Sequence, residues 1–105
     1  LCNIDETGVR STSAVGIFPG GASQCGVMDP SGNIWEWCHS LLKPYPYQTH
    51  DGQENPMAGG NRVLRGGSWN LGRGRARCAC RSSFDPFGTL NNTGFRICVA
   101  ARQAP

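Results

Sequence analysis

Apolar positions along this chain come in short bursts separated by turn-forming residues, a pattern that predicts strands and loops rather than helices. Val15-Gly16-Ile17-Phe18 is stopped by Pro19-Gly20-Gly21. Ile34-Trp35-Glu36-Trp37-Cys38 follows the turn-rich Asp29-Pro30-Ser31-Gly32-Asn33 and consists largely of strand formers, with Trp35 and Trp37 on one face. Arg62 to Trp69 reads as a second strand kinked at Gly66-Gly67. Arg77-Cys78-Ala79-Cys80-Arg81 has period two, with both cysteines on one face. Gly94 to Ala100 is the clearest strand of all. The stretches 1–14, 22–33, 39–61, 70–76 and 82–93 read as loops. No helical period of useful length and no internal repeat is present, so the residues predict a small, loop-dominated β domain. Few strands holding long loops is the layout of a binding scaffold.

Length and composition narrow this further. At 105 residues there is room for one domain. Fifteen glycines and seven prolines argue against a helix bundle, because both are costly inside helices. Charged residues are only 16% of the chain, which argues against a disordered tail. No apolar run approaches the length of a membrane span, and no charged-then-apolar leader opens the chain at Leu1-Cys2-Asn3. Cys2, Cys25, Cys38, Cys78, Cys80 and Cys98 are compatible with three disulfides or with six thiols, which leaves the compartment open. The formal charge of +3 is mild. It is uneven: Arg62, Arg65, Arg73, Arg75, Arg77, Arg81, Arg96 and Arg102 all fall late in the chain. The basic patch Arg73 to Arg81 is short and matches no nucleic-acid motif, so a nucleic-acid partner is not expected.

Several residues carry chemistry. Asp29 and Glu36 flank Gly32 and Asn33, and a hard cation such as calcium wants carboxylates together with carbonyls freed by an irregular turn. The plainer alternative is an Asx-turn at Asp29 and a Glu36 paired with an arginine. The tryptophans Trp35, Trp37 and Trp69 read as core anchors. Tyr45 and Tyr47, in a Pro-rich loop, read as candidates for surface contacts. His39 and His50 lack the spacing of an iron or zinc site. Ser68 after two glycines reads as a close backbone approach, because no nucleophile-elbow motif surrounds it. From Asn70 to Arg96 there is no Lys, Glu, Gln, Met or Trp, although all five occur elsewhere. Mutation of the two adenines of an Asn codon ending in a pyrimidine yields none of these five, and does yield the types found here.

Four linked segments carry a resemblance: Asp29 to Trp37, Arg62-Val63-Leu64-Arg65-Gly66-Gly67-Ser68-Trp69, Arg77-Cys78-Ala79-Cys80-Arg81, and Gly94-Phe95-Arg96. In order and spacing they resemble the C-terminal half of the formylglycine-generating-enzyme (sulfatase-modifying factor) family. The resemblance implies a loop-rich α+β fold with few short strands, a variant of the C-type-lectin-like fold. It implies that residues 1–105 are one portion of such a domain, with the N-terminal half absent and expected to pack on it. It implies a structural calcium bound by the side chains of Asp29 and Glu36 and the carbonyls of Gly32 and Ile34. A second site would use Asn3 and the carbonyl of Ile4. Cys78 and Cys98 match positions that are disulfide-bonded to the absent region in some members.

The enzymes of this family place two copper-binding cysteines between Gly-Gly-Ser-aromatic and Arg-Cys-Ala. Here that interval, Asn70-Leu71-Gly72-Arg73-Gly74-Arg75-Ala76, holds no thiol, so copper is not expected. The family's iron-dependent sulfoxide synthases use histidines from a region outside these residues, so iron is not expected either and no catalytic residue is assigned. The chain also resembles the variable proteins of diversity-generating retroelements, in which residues between Arg-Gly-Gly-Ser-Trp and Gly-Phe-Arg vary. On that reading Asn70, Leu71, Arg73, Arg75, Ser83, Phe84, Phe87, Thr89 and Leu90 contact a protein or small-molecule ligand. The alternative is a thiol-oxidising enzyme completed by an N-terminal segment.

Overall fold

A computed structural model describes residues 1–101; Arg102, the last of the arginines, lies outside them. The chain opens with two three-residue 3-10 turns, η1 (Asp5–Thr7) and η2 (Pro19–Gly21). Four strands follow: β1 (Trp35–Leu41), β2 (Arg62–Arg65), β3 (Arg81–Phe84) and β4 (Thr93–Gly94). They form one sheet in the order β3-β2-β1-β4. The β1–β2 and β2–β3 pairs are antiparallel, while β4 lies parallel to β1. Among the described residues the helical content is confined to those two turns, so the architecture is small and sheet-rich, without the α component expected of an α+β fold.

Register across the sheet aligns Trp37 with Leu64 and Ser82, and Glu36 with Arg65 and Arg81. The β1–β2 ladder shifts between Trp37 and Leu41, where the strand continues three residues beyond the predicted Cys38. β2 stops at Arg65 because Gly66 and Gly67 take left-handed φ values of 99° and 73° and turn the chain out of the sheet. The period-two reading of residues 77–81 is corrected. That segment is a turn, closed by Cys80 N–H donating to the Arg77 carbonyl at 2.9 Å, and the strand begins only at Arg81.

The predicted strand Gly94 to Ala100 is also corrected. Pairing ends at Gly94, and Phe95, Ile97 and Val99 are 73%, 83% and 94% exposed. Their alternation is that of a strand, but among the described residues no neighbour lies beyond β4 to take up its ladder.

The core is thin. Trp35, Leu41, Val63 and Leu64 are the buried apolar side chains, each contributing about 1.5–3 kcal/mol of transfer free energy. Trp37 and Trp69 are half-buried, so of the three tryptophans read as core anchors only Trp35 lies in the core. Polar side chains do much of the remaining bracing. Arg62, 9% exposed, donates to the carbonyls of His39, Asn55 and Ala58 at 2.8, 2.9 and 2.8 Å, tying the long 42–61 loop to the sheet. Asn3, 1% exposed, donates to the Ser11 carbonyl at 2.8 Å and to Ser13 Oγ at 3.1 Å. Its carbonyl accepts the Asn33 N–H at 2.7 Å. The first residues of the chain are thus sewn to the turn that leads into β1.

Candidate functional site

The turn from Asp29 to Asn33 is built from left-handed residues: Asp29, Gly32 and Asn33 have φ of 51°, 77° and 68°. Gly32 has a second constraint, since a Cβ there would stand 2.5 Å from the Asn3 carbonyl oxygen. Gly32 N–H donates to the Gly66 carbonyl at 2.7 Å, and Trp69 N–H to the Asn33 carbonyl at 2.9 Å. The Asp-Pro-Ser-Gly-Asn turn and the Gly-Gly-Ser-Trp segment are therefore one locked unit.

This turn presents Asp29, Gly32, Ile34 and Glu36 to a single cavity of about 220 Å³, with Val15, Phe95 and Arg96 on its walls. Asp29 Oδ2 accepts the Gly16 N–H at 2.9 Å. Arg96 Nε donates to Glu36 Oε1 at 2.7 Å, and its terminal nitrogens donate to the carbonyls of Met28 and Asp29 at 2.8 and 2.9 Å. The arginine pairing foreseen for Glu36 is thus present. Both contacts of the guanidinium with the carboxylate fall on Oε1. On the other side of the turn, Asn3 Oδ1 is buried without a hydrogen-bond partner, and the Ile4 carbonyl accepts the Thr7 N–H at 3.0 Å. Among the described residues no three His, Cys, Asp or Glu side chains gather as a metal-binding group. The predicted calcium sets draw on carbonyl oxygens and on an asparagine as well.

The nine predicted contact residues are divided among separate surfaces. Asn70 is anchored: its Oδ1 accepts Ser68 Oγ at 2.7 Å and Asn92 Nδ2 at 3.0 Å. Ser68 is fully buried, in line with its reading as a backbone-approach residue. The Leu71 carbonyl accepts Asp5 N–H at 3.0 Å, and Arg73 N–H donates to Glu6 Oε1 at 3.1 Å, so η1 buttresses this loop. The backbone N–H of Glu6 and then that of Arg73 hold the Glu6 carboxyl below its usual range. Arg75 is exposed on a cavity of about 390 Å³ that it shares with Gly72, Gly74, Arg77 and Cys80.

Ser83 and Phe84 lie half-buried in β3 at the sheet edge. Phe87 is 95% exposed beside a cavity of about 510 Å³ that Met57 and Asp85 also line. Thr89 and Leu90 open on another of about 270 Å³, walled by Trp37 and Phe95. Met57 carried no signal in the sequence; Trp37 did, but as a core residue.

The remaining candidates are placed as follows. Tyr45 is stacked under Arg81, whose guanidinium carbon is 4.0 Å from the ring centroid, and its hydroxyl accepts from Arg65 at 3.1 Å. His39 Nε2 lies 2.8 Å from the Glu54 carbonyl oxygen. No two of the six cysteines are bonded to each other.

A thin mixed sheet, a locked glycine turn and irregular loops braced from beneath define a small sheet-rich domain with long loops. The profile of the sulfatase-modifying factor enzyme 1-like domain matches residues 3–101, and the chain belongs to that family. It is 37% identical over 87 residues to hercynine oxygenase of Mycobacterium tuberculosis, covering 79% of this chain and 20% of that protein. It is 37% identical over 100 residues to the formylglycine-generating enzyme of Streptomyces coelicolor, covering 90% and 31%. Among solved structures it is similar to Treponema denticola variable protein 1, with a TM-score of 0.71 and 26% identity over 90% of this chain and 34% of that one. The chain thus spans a fifth to a third of these relatives.

Proposed function

We propose that this domain binds a protein or small-molecule ligand through side chains displayed on its loops, on a C-type-lectin-like framework, without transforming it. The observation that supports this is the separation of anchoring from display. Backbone groups of Leu71 and Arg73 and the Ser68–Asn70–Asn92 hydrogen-bond cluster, rooted in the buried Ser68, hold the loops, while Arg75, Phe87 and Leu90 face outward. Sequence can then change at the exposed positions without loss of the frame. The likeness to a variable protein agrees with this. The test is a comparison of sibling gene copies: variation concentrates at Asn-derived codons between Asn70 and Arg96. Variation spread evenly over the chain removes the retroelement reading.

Calcium is proposed as the structural ion, bound by Asp29, Glu36 and the carbonyls of Gly32 and Ile34, with Asn3 and the Ile4 carbonyl as a second set. The residues fit in two respects: the first set lines one cavity, and Asn3 Oδ1 is a buried oxygen lacking a partner. A cation on Glu36 would take Oε2, opposite the oxygen held by Arg96. The exposed row Phe95, Ile97 and Val99 is proposed to be covered by an N-terminal segment of a longer protein.

A second reading is an oxidoreductase acting on a thiol, favoured by identity to a formylglycine-generating enzyme and a hercynine oxygenase. Oxygen uptake by the full-length protein with copper or iron and a thiol decides between the two. Uptake above background supports the enzyme and overturns the non-catalytic reading.

A further inference from the structure

Arg62 is a charge that the fold buries without neutralising. It is 9% exposed, and the one ion pair among the described residues is Arg96 with Glu36. A guanidinium carries five N–H donors. The carbonyls of His39, Asn55 and Ala58 take three of them, and among the described residues nothing takes the rest. Arg62 lines the cavity of about 510 Å³, and two fixed turns supply most of the other walls. The β2–β3 register sets Phe84 opposite Arg62, so Asp85 is the first residue beyond the pair. Asp85 Oδ1 accepts the Phe87 N–H at 2.9 Å and closes that turn, while its Oδ2 meets no donor among the described residues. In the other turn Asn55 Oδ1 accepts the Met57 N–H at 2.9 Å, and Arg62 itself holds the Asn55 and Ala58 carbonyls. Pro56, Met57, Pro86 and Phe87 give the cavity its apolar walls. Met57 and Phe87 are 88% and 95% exposed, so neither is spent on the core.

We propose that this cavity binds a free α-amino acid with an apolar side chain, its carboxylate on Arg62, its ammonium on Asp85 and its side chain among Pro56, Met57, Pro86 and Phe87. A buried guanidinium without a counter-charge selects a carboxylate through charge-assisted hydrogen bonds. Asp85 in the same cavity repels a plain anion, and Arg62 repels a plain cation. A zwitterion satisfies both, which makes the pair a filter as well as a grip. Arg62 and Asp85 are not paired with each other, so each keeps capacity for a ligand. A cavity of about 510 Å³ with apolar walls and a few convergent polar groups has the make-up of a small-molecule site. The proposal rests on the ligand reading above and deepens it, giving Phe87 a class of partner.

The test titrates the full chain with L-phenylalanine and L-leucine by calorimetry, beside three probes that each lack one part. Phenylalanine amide has no carboxylate, 3-phenylpropionate has no ammonium, and glycine has no side chain. Both amino acids are expected to bind, and each probe to bind at least about tenfold more weakly than L-phenylalanine. Asp85→Asn keeps the oxygen that closes the turn. It is expected to weaken L-phenylalanine by about tenfold while 3-phenylpropionate binds no more weakly than to the wild type. Should that variant lose its near-ultraviolet tryptophan signal, the probe series on the wild type decides alone. No binding of either amino acid at millimolar concentration overturns the proposal. So does an affinity for phenylalanine amide or 3-phenylpropionate equal to that for L-phenylalanine, or a folded Asp85→Asn that binds L-phenylalanine as the wild type does. If such a failure comes while sibling gene copies still vary at Asn-derived codons between Asn70 and Arg96, this cavity falls and the display reading stands.

Discussion

Arg96 and Glu36, sixty positions apart in sequence, are joined by Nε donating to Oε1 at 2.7 Å, and the same guanidinium caps the carbonyls of Met28 and Asp29. One side chain thereby closes the end of the chain onto β1 and onto the turn before it. The pair is partly exposed, at 39% and 21%, so its ionic part is small and the carbonyl contacts contribute most. Arg96→Ala is expected to cost about 1–3 kcal/mol in urea unfolding. A cost within error of zero would show that the three acceptors are equally well served by water.

Calcium binding predicts linkage between metal and fold. Calcium raises the melting temperature of the wild-type chain and its removal by chelator reverses the rise. Glu36→Ala lowers stability and abolishes the response, and Asn3→Ala diminishes it. An undiminished calcium response in Glu36→Ala would refute the site.

Gly32 is a position where neither conformation nor space admits a side chain, with its φ of 77° and a Cβ position 2.5 Å from the Asn3 carbonyl. Gly32→Ala is expected to destabilise by more than about 2 kcal/mol, combining backbone strain with displacement of the Asn3 segment. Gly59 is the control, since a Cβ there meets nothing within 4 Å. Gly59→Ala is expected to be neutral or to stabilise by up to about 1 kcal/mol. Equal melting temperatures for the two variants would contradict the packing described.

Arg62 binds three carbonyls with two nitrogens while nearly buried. Arg62→Ala leaves those acceptors unserved and is expected to cost at least about 1–3 kcal/mol, the penalty of a buried acceptor left without a donor. Arg62→Lys does not rescue it, because a single ammonium cannot span the fork. Protease nicking within 42–61 at native temperatures is the second readout, and it rises in both variants.

The thiols differ in reactivity. A hydrogen bond from Ser23, then the Val27 N–H, lowers the Cys25 thiol, whereas burial pushes Cys38 up against the pull of Arg65. At mildly alkaline pH, iodoacetamide is expected to modify Cys25 roughly tenfold faster than Cys38. For Cys38 the sign follows from a folded value above the unfolded one: its neutral form stabilises the fold below the unfolded thiol value, and that contribution fades as pH rises through the folded one. Cys38→Ala therefore flattens the alkaline limb of stability against pH. Equal alkylation rates would argue against these surroundings.

How far sequence alone reached varies by element. β1 and β2 were legible because strand formers stand between strong turn residues, and the glycine turn Asp29 to Asn33 announced itself by composition. β3 was not legible: Arg-Ser-Ser-Phe has no apolar alternation and is a strand because β2 lies beside it. The Phe95-Ile97-Val99 alternation has the right period, but a ladder also needs a neighbour, which periodicity does not report. The predicted metal-ligand set around Glu36 was brought to one cavity. The burial of Asn3 and the three carbonyls on Arg62 had no local signature, since each depends on residues far along the chain. The nine contact residues lie within 21 positions of sequence, Asn70 to Leu90, but fall on several surfaces, because β3 and the turn at Gly88 redirect the chain between them.

β4 lies parallel to β1, and Trp35 N–H is met by the Asn92 carbonyl. A ribosome delivers the first strand long before its second neighbour. Until the closing residues emerge, one side of β1 stands open, and the nascent protein carries an adhesive border that invites wrong partners. Completion of the sheet is thereby deferred until the residues around Gly94 have emerged.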